Sequence, residues 1–387
     1  MVDRPFWVRR IEQAWQETPI VWLAGVRRSG KTTLAKSLGS ERTLYVNCDL
    51  PSATAGLANP ELFYRDCERP VVVFDEIHQL GDPSRTLKIG ADEFPHLKIL
   101  ATGSSTLAAS RKFRDTLTGR KRLVRLTPVL WDELASFGGA SLRRRLHVGG
   151  LPQALLAREK VPEFYREWMD SFFARDVQRL FAFRDPDKFN AVFEYVLRQS
   201  GGLLETARAS RLLGIGRQTV VSHLSALETT HALTLVRPFH AGGQKELVKV
   251  PKAYAFDTGF VSFCRGWDPL RPDDCGVLWE HVVLEYLQAH AHPWTIRYWR
   301  DTGGREIDFV VQRSRDEVDA IECKWDPAQF DAAALRVFRG HYPRGMNYLV
   351  VPLDPRGHVK RVSGLEVHVC DPDGWLRDVE RRGQGRG

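Results

Sequence analysis

The segment Ile20-Val21-Trp22-Leu23-Ala24-Gly25-Val26-Arg27-Arg28-Ser29-Gly30-Lys31-Thr32-Thr33-Leu34 restricts this chain more than any other. A continuous apolar run breaks into a glycine loop, and the loop opens into a helix-forming stretch. Strand, turn and helix in that order let successive backbone N–H groups converge on phosphate oxygens at a helix N-terminus. Gly25 and Gly30 permit backbone angles and close approach that a Cβ obstructs. Lys31 has the reach for the β- and γ-phosphates of a nucleoside triphosphate, and the Thr32 hydroxyl is of the kind that ligates magnesium. Arg28, Ser29 and Thr33 stand in the same loop and are counted with it as nucleotide-binding.

A triphosphate site needs an acidic partner for its metal. Val71-Val72-Val73-Phe74-Asp75-Glu76 supplies one, because a second apolar strand ends there in two acids. Ligands of open α/β sheets bind beyond the carboxyl ends of parallel strands, so Asp75 is expected to hold magnesium. Glu76 is then the residue to orient and deprotonate the attacking water. Two adjacent acids with two roles favour hydrolysis over nucleotide storage. The next apolar strand, Leu97 to Ala101, ends in Thr102-Gly103-Ser104-Ser105. Either Ser104 or Ser105 would position the water, or cap the helix that follows.

These motifs, followed by Thr118-Gly119-Arg120 and Gly149-Gly150-Leu151-Pro152, resemble the AAA-type ATPases of bacteria and archaea that carry a C-terminal domain of unknown function. The resemblance extends over nearly the whole chain. It implies ATP and magnesium as ligands, an arginine finger at Arg120 acting on a neighbouring subunit's nucleotide, and Gly150 and Pro152 near the adenine. A finger in trans implies a homo-oligomer, such as a ring. By its own neighbours Lys121, Arg122 and Arg125, Arg120 reads equally as part of a basic strand, and Gly-Gly-Leu-Pro as a turn before a helix.

At 387 residues the chain has room for two or three domains, and 43% hydrophobic residues is enough for packed cores. The fold class expected is α/β multidomain. Residues 1–155 form the ATPase with a short lid, 156–265 a helical linker and winged helix, 266–372 a nuclease-like domain and 373–387 a basic tail. No apolar segment approaches the ~18 residues of a membrane span, and Met1-Val2-Asp3-Arg4-Pro5 lacks a signal-peptide core, so a cytoplasmic protein without membrane partners is expected. The cysteines, Cys48, Cys67, Cys264, Cys275, Cys323 and Cys370, form no Cys-x-x-Cys pair, which argues against a zinc ribbon or a disulfide framework. A formal charge of +8, from 56 Lys and Arg against 48 Asp and Glu, is compatible with a polyanionic partner.

Beyond residue 155 strand-helix alternation gives way to helices. Phe164, Trp168, Phe172, Phe173, Val177 and Leu180 recur at helical spacing and read as a core stripe. Glu205 to Leu213, the turn Gly214-Ile215-Gly216, and Arg217 to Leu227 then form a helix-turn-helix pattern, in which Val220, Val221, Leu224 and Leu227 face inward. Strands around Gly242-Gly243 make it a winged helix. Arg217, Gln218, Thr219 and Ser222 would face a DNA groove, with His223 near its edge and Lys245 and Lys249 on phosphates.

A second constellation occupies the last third. An amphipathic helix from Leu278 to Leu287 precedes a strand at Ile296 to Arg300, a second at Glu306 to Val311 and a third at Val318 to Lys324. Period-2 geometry puts Glu322 and Lys324 on one face of the third strand, beside Asp308. This resembles the restriction-endonuclease-like PD-(D/E)XK core, although Ile307 stands where the family name has proline. The resemblance implies Asp308 and Glu322 as ligands of magnesium or manganese, Glu280 as an auxiliary ligand, and Lys324 orienting the attacking water. The function expected is a DNA-dependent ATPase that remodels or cleaves duplex or branched DNA in repair, recombination or defence. The alternative is an ATP-dependent switch whose C-terminal domains bind protein or promoter DNA without cutting.

Overall fold

The computed structural model describes residues 2–103, 116–181, 183, 185–240, 250–291 and 294–384. The apolar runs of the N-terminal third form a parallel sheet of β1 (Ile20–Ala24), β2 (Thr43–Asn47), β3 (Val71–Asp75), β4 (Lys98–Thr102) and β5 (Lys121–Arg125) in the order β2-β3-β4-β1-β5. Every residue of β1 and β3 is buried, as sequences covered on both faces require. The helix Pro5–Glu17 turns Trp7, Ile11 and Trp15 onto this layer, and the Trp15 indole N–H donates to the Ile99 carbonyl at 3.0 Å. Because β4 lies between β1 and β3, its tip separates the glycine loop from the two acids.

The middle region is helical, with Leu142–Val148, Pro162–Phe172, Pro186–Gln199, Thr206–Leu213, Arg217–Thr229 and Thr258–Arg265 around an antiparallel pair, β6 (Leu233–Val236) and β7 (Lys252–Ala255). The aromatic stripe is core as expected, with Trp168 stacked on Phe172 and Phe256 and Phe193 against Phe172. Leu146 and Leu151, expected within the ATPase lid, are buried in this same core. The helices Thr206–Leu213 and Arg217–Thr229 follow one another across the turn at Gly214, and two positions differ from expectation. His223 is buried between Phe183 and Phe189, while Val221 is 40% exposed.

The C-terminal region sets the helix Pro272–His290 and the helix Ala333–His341 against a mixed sheet of β8 (Ile296–Arg300), β9 (Glu306–Gln312), β10 (Val318–Cys323), β11 (Asn347–Val350), β12 (His358–Val362) and β13 (Leu365–Cys370). Its order is β12-β13-β11-β10-β9-β8. β8, β9 and β10 are antiparallel neighbours, and β10 pairs in parallel with β11. The segment after β6 runs beside β8, where the Phe239 N–H donates to the Tyr298 carbonyl at 2.6 Å. The expected basic tail is a correction: Pro372–Gln384 is a helix that buries Trp375 and Val379, one turn apart. Asp373 accepts from the Tyr286 hydroxyl at 2.7 Å and Arg382 pairs with Asp319 at 3.3 Å, so charges that read as a solvated end are anchors. Among the described residues no helix is long and apolar enough to cross a membrane.

Candidate active site

The loop after β1 is shaped by a close approach. Gly25 has φ +149°, and a Cβ there would meet the Leu126 carbonyl oxygen at 2.4 Å. Arg28 takes the left-handed conformation at φ 61°, which strains a non-glycine residue and recurs at ligand sites. Lys31, first in the helix Lys31–Lys36, arches back so that Nζ donates to the Gly25 carbonyl at 2.9 Å and the Val26 carbonyl at 3.2 Å. Burial pulls its ammonium group down from the ordinary lysine value, while Glu76, Asp176 and Asp75 pull it up.

Across the tip of β4 stand the two acids. Asp75 is buried and accepts from the Tyr45 hydroxyl at 2.6 Å and from the Thr102 hydroxyl. The same Thr102 oxygen accepts the Glu76 N–H at 3.1 Å. Glu76 has φ 56°, which aims its carboxylate into the open space, where it lies 3.2 Å from His78 Nδ1. That contact is the main reason the Glu76 carboxyl stays below the ordinary glutamate value, and an ionised carboxylate is what a proton acceptor must be.

Between loop and acids lies a cavity of about 550 Å³ lined by Gly25, Arg28, Gly30, Lys31, Thr32, Thr33, Glu76 and Pro152, all expected, and by Arg27, His78, Arg175 and Asp176, which were not. A second, mostly apolar cavity of about 260 Å³ shares Gly30, Thr33 and Pro152 with it and adds Leu34, Phe137 and Leu156. A polar chamber for a triphosphate beside an apolar slot for a purine fits ATP, with Pro152 at the junction. The Thr32 hydroxyl and the Asp75 carboxylate offer hard oxygen donors suited to magnesium. Gly150 serves packing instead: its N–H donates to Asp257 at 2.7 Å, and a Cβ there would meet the Arg145 guanidinium at 2.5 Å. Ser29 is buried in the loop, and its hydroxyl has no hydrogen-bond partner. Ser104 and Ser105 lie outside the described residues.

Residues 17–135 match the AAA domain family, residues 139–271 match a domain of unknown function (DUF8612), and residues 275–361 match another (DUF4143). The N-terminal unit is an AAA domain. Such a domain implies ATP and magnesium as its ligands. Uncharacterized protein Rv2008c of Mycobacterium tuberculosis is 27% identical over 324 residues, covering 81% of this chain and 72% of its own; Uncharacterized protein Mb2031c of Mycobacterium bovis matches to the same extent. Among solved structures, the Thermotoga maritima RuvB Holliday junction branch migration motor is 16% identical with a TM-score of 0.31, over 60% of this chain and 89% of that one. The STAND protein PH0952 of Pyrococcus horikoshii is 12% identical with a TM-score of 0.26, over 75% of this chain and 45% of that one.

Arg120 precedes β5, and its carbonyl accepts the Ile20 N–H at 3.2 Å at the start of β1. It therefore sits at the end of the sheet opposite the cavity, paired with Asp92 at 2.5 Å. The length of β1, about 3.3 Å per residue, separates it from the phosphate loop.

On the helix Arg217–Thr229, Arg217 and Gln218 are exposed, and Thr219 and Ser222 are half-buried on the same turns. Lys245 and Lys249 lie outside the described residues.

The C-terminal cluster assembles much as the strand pattern implied. Lys324 Nζ is 3.0 Å from Glu322 and 3.5 Å from Asp308, and Asp308 accepts the Cys323 N–H at 2.8 Å. Burial pushes the Glu322 carboxyl up to about 8, with Asp308 adding to the shift and Lys324 opposing it. Glu280, expected as an auxiliary metal ligand, accepts from the Lys252 ammonium and, at 2.5 Å, from the Tyr254 hydroxyl, both on β7. Lys252 also reaches Glu306 at 2.9 Å. These carboxylates are satisfied by lysines, and among the described residues no group of three or more His, Cys, Asp or Glu side chains is arranged to hold a metal.

Lys252, Arg27 and Asp176 escaped sequence reasoning. Lys252 carries a faint signal as a lone charge in an otherwise apolar run, and Arg175-Asp176 as a charged pair inside an aromatic stripe.

Proposed function

We propose that this chain couples ATP hydrolysis in its AAA domain to the binding and remodelling of duplex or branched DNA by the domains that follow. Lys31 and the loop N–H groups hold the phosphates, Thr32 and Asp75 hold magnesium, and Glu76 takes a proton from the attacking water while His78 fixes its carboxylate. Magnesium, when bound, supplies charge neutralisation on the β- and γ-phosphates.

The observation that carries the DNA part is the division of the helix Arg217–Thr229, whose Val220, Leu224 and Leu227 lie in the core while Arg217 and Gln218 stand free at its N-terminal end. A second helix of a helix-turn-helix presents those positions to a major groove. The connectivity of the C-terminal region, a helix, three antiparallel strands and a helical crossover to a parallel strand, supports its restriction-endonuclease-like reading. Lysine-paired carboxylates favour DNA engagement without cutting. Arg120, out of reach of its own nucleotide, supports action in trans and hence an oligomer.

The exposed Val221 and Leu212, at 40% and 64%, favour the second reading, a regulatory switch whose winged helix binds protein. Fluorescence anisotropy with labelled duplex, single-stranded and four-way-junction DNA at low salt separates the two. The DNA reading expects binding that weakens steeply with salt and weakens again in Arg217→Ala. Absence of binding to all three leaves the switch.

A further inference from the structure

The helix Pro162–Phe172 is docked on the phosphate loop itself. The Trp168 indole N–H donates to the Arg27 carbonyl at 3.0 Å, and the Arg28 guanidinium lies 5.4 Å from the centre of the Phe164 ring. The helix then widens into a π-turn over Phe173–Val177, a departure from α-helical bonding that marks functional sites more often than plain structure. Its two charged residues, Arg175 and Asp176, line the triphosphate cavity.

Asp176 is out of keeping with a phosphate site. Its carboxylate lies 3.9 Å from the Arg27 guanidinium, and among the described residues its Oδ2 is buried without a hydrogen-bond partner. Arg27 Nε is likewise buried without one among the described residues, so these atoms meet as charges and not as a hydrogen bond. Asp176 also acts electrostatically on Lys31, the lysine that faces the phosphates. A carboxylate and a triphosphate thus address the same two cations inside one cavity, and like charges that share a cavity repel.

We propose that Asp176 competes with the bound triphosphate for Arg27 and Lys31, so that nucleotide binding displaces the π-turn from the phosphate loop. The inference rests on assigning the cavity to ATP. Its consequence for the rest of the molecule is direct, since the π-turn is continuous with the helix Pro162–Phe172 and Phe173 touches Phe189 of the helix Pro186–Gln199. That helix in turn packs on the winged helix, where Phe189 meets His223. A shift at Asp176 has a packed route to the proposed DNA-reading element. By linkage, whatever the carboxylate costs the nucleotide, the nucleotide returns as displacement of the turn.

The test uses the full chain with mant-ATP and magnesium, followed by fluorescence, and hydrogen exchange of the amides of Phe173–Phe181 with and without ATPγS. Asp176→Asn keeps the shape and removes the charge, and Asp176→Ser does the same with a smaller group should the amide disturb packing. The proposal expects both variants to bind mant-ATP at least about fivefold more tightly than wild type. It also expects the nucleotide-dependent change in exchange seen in wild type to shrink in both. Unchanged or weaker binding in the two variants overturns it, and so does exchange of the turn that ignores nucleotide in wild type. Failure of wild type to bind mant-ATP removes the ATP assignment itself, whereas wild-type binding with unaltered variants removes only the competition.

Discussion

Thr102 joins the two acids of the nucleotide site, since its hydroxyl donates to Asp75 while accepting the Glu76 N–H at 3.1 Å. One side chain at the tip of β4 therefore fixes both the proposed metal-holding carboxylate and the backbone from which the proposed base, Glu76, projects. Outer groups of this kind typically account for about 10–100-fold in activity or metal affinity. Thr102→Val keeps the shape and loses both contacts. Turnover is expected to fall by that factor, measured by phosphate release, with mant-ATP affinity changing much less. Normal turnover would mean that Asp75 and Glu76 hold their places without it.

Arg120 pairs with Asp92 in its own chain and lies at the start of β1, the end away from the phosphate loop. Acting on a neighbour, it should contribute about 10³-fold or more to turnover, as arginine fingers do. Arg120→Ala is then expected to bind mant-ATP normally and hydrolyse ATP poorly. Light scattering with ATPγS should show assembly of wild type. A monomer at all concentrations, with a fully active Arg120→Ala, would contradict action in trans.

The Lys252 side chain is 4% exposed and bridges Glu280 and Glu306, so it ties β7 to the C-terminal region. Removing one member of a buried ion pair leaves uncompensated charge and typically costs about 3–5 kcal/mol. Lys252→Met is expected to lose stability of that order in urea unfolding, with Lys252→Arg losing less. A loss below about 1 kcal/mol would show that the carboxylates find other partners or protons.

His281 contacts the Ser200 hydroxyl at 2.6 Å and the Val277 carbonyl at 2.8 Å, and burial lowers its pKa from 6.5 to about 3. The unfolded chain takes up this proton below pH 6.5 and the native one does not, so stability drops as pH falls from 6.5 towards 3. The slope from this group is about 1.4 kcal/mol per pH unit. Between pH 7 and pH 5 the His281→Gln variant should be less stable than wild type at pH 7 but lose less on acidification. Equal pH dependence in the two proteins would contradict a neutral buried imidazole.

The nucleotide site was legible because its chemistry is local. β1 and β3 are covered on both faces, so each appears as an unbroken apolar run, and the phosphate loop and the two acids follow within a few residues. Asp308, Glu322 and Lys324 were legible through strand alternation alone. Lys252 was not, because its partners Glu280 and Glu306 lie on other elements and meet it only after the winged helix docks on the C-terminal sheet. Asp176 was hidden for a different reason: the aromatic stripe around it reads as core, and periodicity does not report a π-turn that rotates one charge into a cavity. The terminal helix was masked by composition, since its charges outweigh the buried Trp375 and Val379 in any average.

The most direct test of coupling between nucleotide and DNA is steady-state ATP turnover at low salt, with and without duplex and four-way-junction DNA, in wild type and Glu76→Gln. The account predicts that DNA stimulates wild-type turnover, that stimulation fades as salt rises, and that Glu76→Gln binds ATP but hydrolyses almost none under any condition. Wild-type turnover indifferent to every DNA would contradict the coupling, and near-normal hydrolysis by Glu76→Gln would remove the residue on which the chemistry rests.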